Sequence, residues 1–127
     1  MKLQFAFIIA ALLLAVVLFR QAYLYATDSP YRISSQEAKS RIQQGKVDVI
    51  VDVRTDIERA TLGSYPGSIH IPSSDLKARL PSLYPNKATR ILAYCNTGHR
   101  ARMAADTLHA LGYKNAVYIS STYTTLQ

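Results

Sequence analysis

The sequence predicts an α/β domain built on a central parallel sheet flanked by helices and preceded by one N-terminal hydrophobic helix. Three observations carry that expectation. Residues 3–19 are apolar apart from Gln4. Residues 47–53 and 89–94 are short, β-prone apolar runs without strict alternation, as strands covered on both faces are. Between and after them the apolar positions fall at helical spacing, and strands alternating with helices make a parallel sheet. With 127 residues the chain holds one compact domain once the N-terminal segment is set aside. No repeat or low-complexity segment is visible, which excludes a tandem two-domain enzyme.

Taken in order, the first element divides the chain into residues 1–27, a membrane anchor or signal segment, and 28–127, the domain. Lys2 precedes the apolar run, and Arg20, Gln21, Tyr23 and Tyr25 follow it. As a helix, residues 3–19 span roughly 25 Å, and continuing to Tyr25 carries the segment across a bilayer core. Tyr23 and Tyr25 then sit in the interfacial belt, and Arg20 snorkels outward. A cleaved signal peptide is the rival, but Leu24-Tyr25-Ala26 is a poor small-x-small cleavage site and the run is long for one. A buried soluble helix fits least, because the run has no polar face. The expectation is therefore a single-pass membrane protein held through residues 3–25. Arg20, Arg32 and Lys39 outweigh Lys2 and lean towards a cytoplasmic domain, where a reactive unpaired thiol also fits.

Asp28-Ser29-Pro30 breaks the helix as a linker. Ser34-Ser35-Gln36-Glu37 reads as a capping box opening a helix that closes near Gly45. Residues 47–53 form the first strand, Ile69 and His70 lie in a short strand, and Ser74-Asp75-Leu76 opens a short helix before Pro81. Residues 89–94 form the next strand. Ala101, Ala104, Ala105, Leu108 and Leu111 then mark a helix that Gly112 caps. Residues 116–119 form a last strand.

The only cysteine, Cys95, follows Ile91-Leu92-Ala93-Tyr94 at the point where a strand hands over to a helix. The loop of residues 95–100 (Cys95, Asn96, Thr97, Gly98, His99, Arg100) can turn its N–H groups towards one point, and the helix dipole adds positive charge there. Arg100 and Arg102 flank the first turn, where a cation opposes the dipole unless an anion offsets it. A thiol at a helix N-terminus beside cations is the usual setting of a nucleophilic cysteine. The alternative is a small buried hydrophobe, against which the Cys-x-x-Gly-x-Arg pattern argues.

At these residues the sequence resembles the rhodanese family of sulfurtransferases, whose active-site loop is commonly Cys-x-x-Gly-x-Arg. Val49-Ile50-Val51-Asp52-Val53-Arg54 is similar to the family's Asp-x-Arg strand end. Gly63-Ser64-Tyr65-Pro66-Gly67-Ser68-Ile69-His70-Ile71-Pro72 is similar to its Gly-His-Ile-Pro-Gly-Ala-Ile-Asn-Ile-Pro segment. The resemblance runs from about Tyr31 to Ile119 and implies a rhodanese-like sheet with Cys95 as the nucleophile that carries sulfane sulfur as a persulfide. It implies that Asn96, Thr97, Gly98, His99 and Arg100, with Arg54, hold the substrate, and that Asp52 and Arg102 support them. Ser64 stands in place of the usual histidine, the segment between Arg54 and Pro66 is about one residue longer than usual, and Ser120-Ser121-Thr122 replaces a Gly-Gly pair. Those departures bear on substrate shape. Loop length separates this chemistry from the phosphatases of the same architecture, which follow Cys-x5-Arg; here that sixth position is Ala101, and Tyr94 stands where tyrosine phosphatases have histidine.

The expected partners are small sulfur-containing anions such as thiosulfate, thiol or cyanide acceptors, and the membrane. Residues 29–127 carry 13 Lys or Arg against 7 Asp or Glu, a formal charge of +6, which steers anions and favours anionic headgroups. Nucleic acid is not expected, because the cations are scattered and no recognised module is present. No metal or other cofactor is expected either, since His70, His99 and His109 lack ligand spacing and there is one cysteine. His70 and His109 read as structural or surface residues. Arg54 has a second reading as a surface cation paired with Asp56 or Glu58, and Asp52 as an acceptor for loop N–H groups. Two other functions compete: a docking module with little turnover, and arsenate or phosphate-ester chemistry.

Overall fold

A computed structural model describes the whole chain, Met1–Gln127. Helix α1 (Lys2–Thr27) is followed by α2 (Ser35–Gln43), β1 (Val49–Asp52), α3 (Asp56–Leu62), β2 (Ile69–His70), α4 (Leu76–Leu83), β3 (Ile91–Tyr94), α5 (His99–Ala110), β4 (Val117–Tyr118) and a final 3-10 turn, Tyr123–Leu126. The four strands form one parallel sheet in the order β2-β1-β3-β4. Val49 pairs with Ile91 and Asp52 with Tyr94 in the central register. At the outer edge, Tyr118 N–H donates to the Tyr31 carbonyl and Ile33 N–H to the Tyr118 carbonyl, so residues 31–33 lengthen the sheet.

The period of two along β3 decides which side of the sheet each residue serves. Ile91, Ala93 and Cys95 face the core under α4 and α5, with Val49, Val51, Leu80, Ala101, Ala105 and Leu108. Leu92 and Tyr94 face the opposite core with Ile33, Ala38, Ile119 and Leu126. Both faces are therefore covered, which is why the strand runs lack polar alternation.

The strands are shorter than their apolar runs. Regular strand ends at Asp52 in β1 and begins at Ile91 in β3, although Val53 N–H still donates to the Tyr94 carbonyl and Val49 N–H to that of Arg90, and Val53 and Thr89 stay buried. The Ser34 hydroxyl accepts from Glu37 N–H at 3.0 Å, but the Glu37 carboxylate turns outward to Arg41 at 2.7 Å, so the expected box is half made. Helix α4 continues through Pro81 instead of stopping before it. Leu76 and Leu80, one turn apart and fully buried, hold it down, and the ring forfeits a single N–H. The end of α5 is as expected: Gly112 at φ +98° lets its N–H reach the His109 carbonyl and Tyr113 N–H the Leu108 carbonyl, the reciprocal pair of a Schellman cap.

Helix α3 lies in the stretch between Arg54 and Pro66 where the sequence suggested only a lengthened loop. Thr55 and Glu58 form its capping box, with the Glu58 carboxylate accepting from the Thr55 N–H and hydroxyl. Helix α1 is long and apolar enough to cross a membrane. All of it is exposed up to Leu24, and only its last turn meets the domain.

Candidate active site

Cys95 follows the last residue of β3, at the carboxyl end of the sheet, and the four residues Cys95 to Gly98 turn the chain into α5. Strand alternation buries the Cys95 side chain against α5, and the Gly98 N–H donates to its Sγ at 3.1 Å. Gly98 makes this turn at φ +100°, a backbone state costly for a residue with a Cβ. A Cβ there would lie 2.7 Å from both the Cα and Cβ of Ser120 and 3.4 Å from the Cβ of Ala26. Gly98→Ala is therefore expected to cost about 2–4 kcal/mol, adding left-handed strain to overpacking. Urea denaturation checks this, and an unchanged midpoint would contradict the packing.

Arg100 and Asn96 converge on Glu58, which the sequence offered only as a partner for Arg54. Arg100 donates to both carboxylate oxygens of Glu58, at 2.6 and 2.8 Å, and Asn96 Nδ2 donates to Oε2 at 2.7 Å. Arg100 holds the Glu58 carboxyl down to about 2, and the hydrogen bonds to Glu58 raise Arg100 in return. The Glu58 contribution to stability is complete above its ordinary value near 4.5 and is lost only as pH falls towards about 2. The local signal at Glu58 was Thr55-x-x-Glu58, a capping box that fixes a helix start but does not say which cation the carboxylate meets.

Asp52 and Arg54 lie two residues apart on one side of the β1 strand end, and both are fully buried, at 0 and 1 % exposure. Arg54 Nε and Nη2 donate to Oδ1 and Oδ2 of Asp52 at 2.9 and 2.8 Å, and the Arg54 N–H adds a third bond to Oδ1 at 3.0 Å. Arg54 Nη2 also donates to the Gly63 carbonyl at 2.6 Å, and Nη1 to Asn96 Oδ1 at 3.3 Å. Arg59 closes the group with a 3.1 Å bond to Asp52 Oδ2. Burial pushes the Asp52 carboxyl up, but the bonds from Arg54 outweigh it and leave the group below the usual carboxylate range. Arg54 is therefore an interior cation whose partner is Asp52 and whose contact with the loop is through Asn96; it is not a surface cation paired with Asp56 or Glu58.

Thr97 and His99 are exposed on the rim of the loop. The His99 ring rests against Tyr25 of α1, with centroids 4.6 Å apart. Arg102 turns away from Cys95 towards α1: its guanidinium lies 4.2 Å from the Tyr25 ring centroid and donates to the Tyr25 and Asp28 carbonyls at 2.6 and 3.1 Å. His70 Nε2 bonds the Arg54 carbonyl at 2.7 Å, and His109 Nε2 bonds that of Ala116 at 2.8 Å while its ring stacks on Tyr31. Both histidines tie elements together. A groove of about 740 Å³ opens at the other end of the sheet among Arg41, Lys46, Arg90 and Lys114, and shares no residue with the loop.

Residues 34–122 match the rhodanese-like domain family. Among curated proteins, the chain is 29 % identical over 99 residues to the mouse thiosulfate sulfurtransferase/rhodanese-like domain-containing protein 3, an alignment covering 69 % of this chain and 62 % of that one. It is 31 % identical over 87 residues to the putative sulfur carrier protein YrkF of Bacillus subtilis, covering 68 % of this chain and 45 % of that protein. The chain thus spans less than two thirds of the length of these relatives. Among solved structures, the human single-domain sulfurtransferase TSTD1 superposes with a TM-score of 0.63 at 27 % identity, over 76 % of this chain and 95 % of that one.

Proposed function

The chain belongs to the rhodanese-like domain family, and on that premise we propose that it is a membrane-anchored sulfurtransferase carrying sulfane sulfur as a persulfide on Cys95. The observation that carries this reading is the Cys95 Sγ at the strand end, already accepting the Gly98 N–H at 3.1 Å at the mouth of α5. The Cys95 thiolate attacks the outer sulfur of a donor such as thiosulfate. The donor S–S bond breaks, its electron pair leaves with sulfite, and Cys95 holds the transferred sulfur as a persulfide. A thiolate or cyanide then attacks that outer sulfur, and Sγ departs as thiolate. No net oxidant is consumed. Loop N–H groups and the α5 N-terminus offset negative charge on the transferred sulfur.

Arg100 is the cation that draws the anionic donor, and Asn96, Thr97, Gly98 and His99 form the cradle. Asp52 and Arg54 act through Asn96, fixing the loop from below. The sixth position after Cys95, Ala101, is fully buried in the first turn of α5, so no side chain projects there to bind a phosphoryl group. That favours sulfur transfer over phosphate-ester chemistry. Residues 1–27 serve as a single-pass anchor and 28–127 as the catalytic domain on the cytoplasmic side, which protease protection in sealed vesicles tests.

The test of the chemistry is intact-mass measurement after exposure to thiosulfate: Cys95 gains one sulfur atom and loses it to added cyanide. An unmodified thiol would favour a docking role. Glu58 tempers the donor site, because an incoming anion must share Arg100 with it. Glu58→Gln keeps the α3 cap and is expected to raise kcat/KM for thiosulfate roughly threefold to fivefold, the upper end of what an ion pair near the surface is worth, since this one is partly buried. A fall in kcat/KM would show that the pair orients Arg100 and does not compete for it.

A further inference from the structure

The end of α1 is built into the wall of the candidate active site. Ala26 is 3 % exposed and its carbonyl accepts the hydroxyl of the buried Tyr118 at 2.7 Å. The Tyr25 ring meets both the Arg102 guanidinium and the ring of His99 on the loop rim. Arg102 also clamps the Tyr25 and Asp28 carbonyls. The helix is unbroken from Lys2 to Thr27, with no glycine, serine or proline between the apolar run and this joint. A flexible tether would make none of these contacts.

The height of the joint follows from the helix rise. Tyr25 lies six positions beyond Phe19, the last of the apolar run, about 9 Å of helix, comparable with the roughly 6 Å of headgroups on each side of a bilayer core. Tyr23 and Leu24 are 60 and 44 % exposed, an aromatic and an apolar side chain that the domain leaves uncovered. They are continuous with the exposed apolar surface of α1 and suit the lipid interface. The next residue is the one that touches His99.

We propose that this joint holds the mouth of the Cys95 loop at the lipid headgroup layer, so that the acceptor served best is a thiol presented at the bilayer surface. The proposal rests on the anchored sulfur-carrier reading. The acceptor thiolate attacks the outer sulfur of the Cys95 persulfide, a new S–S bond forms on the acceptor, the bond to Sγ breaks, and Cys95 leaves as thiolate.

The test uses the full chain in nanodiscs, charged with thiosulfate, and offers two acceptors: a phospholipid bearing a headgroup thiol, and glutathione in solution. A companion chain carries a seven-residue polar helical insert between Gln21 and Ala22, which keeps the helical phase and raises the domain by about 10 Å. The insert is expected to lower transfer to the lipid thiol roughly tenfold through lost effective concentration, while transfer to glutathione and charging of Cys95 stay at parent levels. Retained charging shows that the lengthened chain is folded. Equal lipid-thiol rates in the two chains overturn the proposal alone. Failure of the parent chain to charge, or to remain in the nanodisc, overturns the underlying reading and the proposal with it.

Discussion

Replacing Cys95 by serine abolishes transfer of sulfur from thiosulfate to cyanide, a loss of roughly a thousandfold or more, as expected when the nucleophile of a covalent mechanism is removed. The substitution is close to isosteric, and a hydroxyl can accept the Gly98 N–H that Sγ accepts at 3.1 Å. The core cluster around Cys95, which includes Ala93, Ala101 and Leu108, keeps its packing, so the variant folds and isolates the chemistry. Serine forms no persulfide and is a weak nucleophile without an adjacent base. Parallel denaturation curves with near-equal midpoints, and turnover lost in the variant alone, are the expected pair of results. Equal turnover would sink the assignment of Cys95.

Asp52→Ala has the larger effect on stability. It removes the carboxylate that accepts three bonds from Arg54 and one from Arg59, leaving a guanidinium at 1 % exposure without its counter-ion. Stranding one member of a buried pair costs about 3–5 kcal/mol, a large share of the roughly 5–15 kcal/mol that holds a domain folded. The double change Asp52→Ala with Arg54→Met is expected to recover part of that loss, because no uncompensated charge remains. Chemical denaturation of the single and double variants checks both. The pair also sets an acid dependence: Asp52 titrates below its ordinary value of 3.8 in the fold, so its contribution is full above that value and is lost as pH falls further. A double variant less stable than the single would contradict the stranded-charge account.

The parallel strands and the turn after β3 were legible because continuous β-prone runs and a glycine before a helical repeat are local signals. So was the family, through two motifs in order, and residues 34–122 match it. Asp52 and Arg54 were both visible, but their pairing was not: neighbours two apart on a strand end share a side, while their burial depends on Tyr94 and Tyr123, whose rings lie 5.3 and 5.6 Å from the guanidinium. Helix α3 escaped notice because seven residues give little periodicity, although its capping box stood in plain sequence at Thr55 and Glu58.

By itself the sequence determined the spacing of Cys95, Gly98 and Arg100 and the apolar length of α1, since both are properties of contiguous chain. Only the tertiary structure decided that Arg100 is held by Glu58, 42 residues earlier, and that Arg102 turns from the loop to Tyr25, 77 residues earlier. The cause is the same in both cases. Packing of the elements around the sheet chooses a long side chain's partner among several carboxylates and carbonyls at similar chemical advantage, and no local pattern encodes that choice.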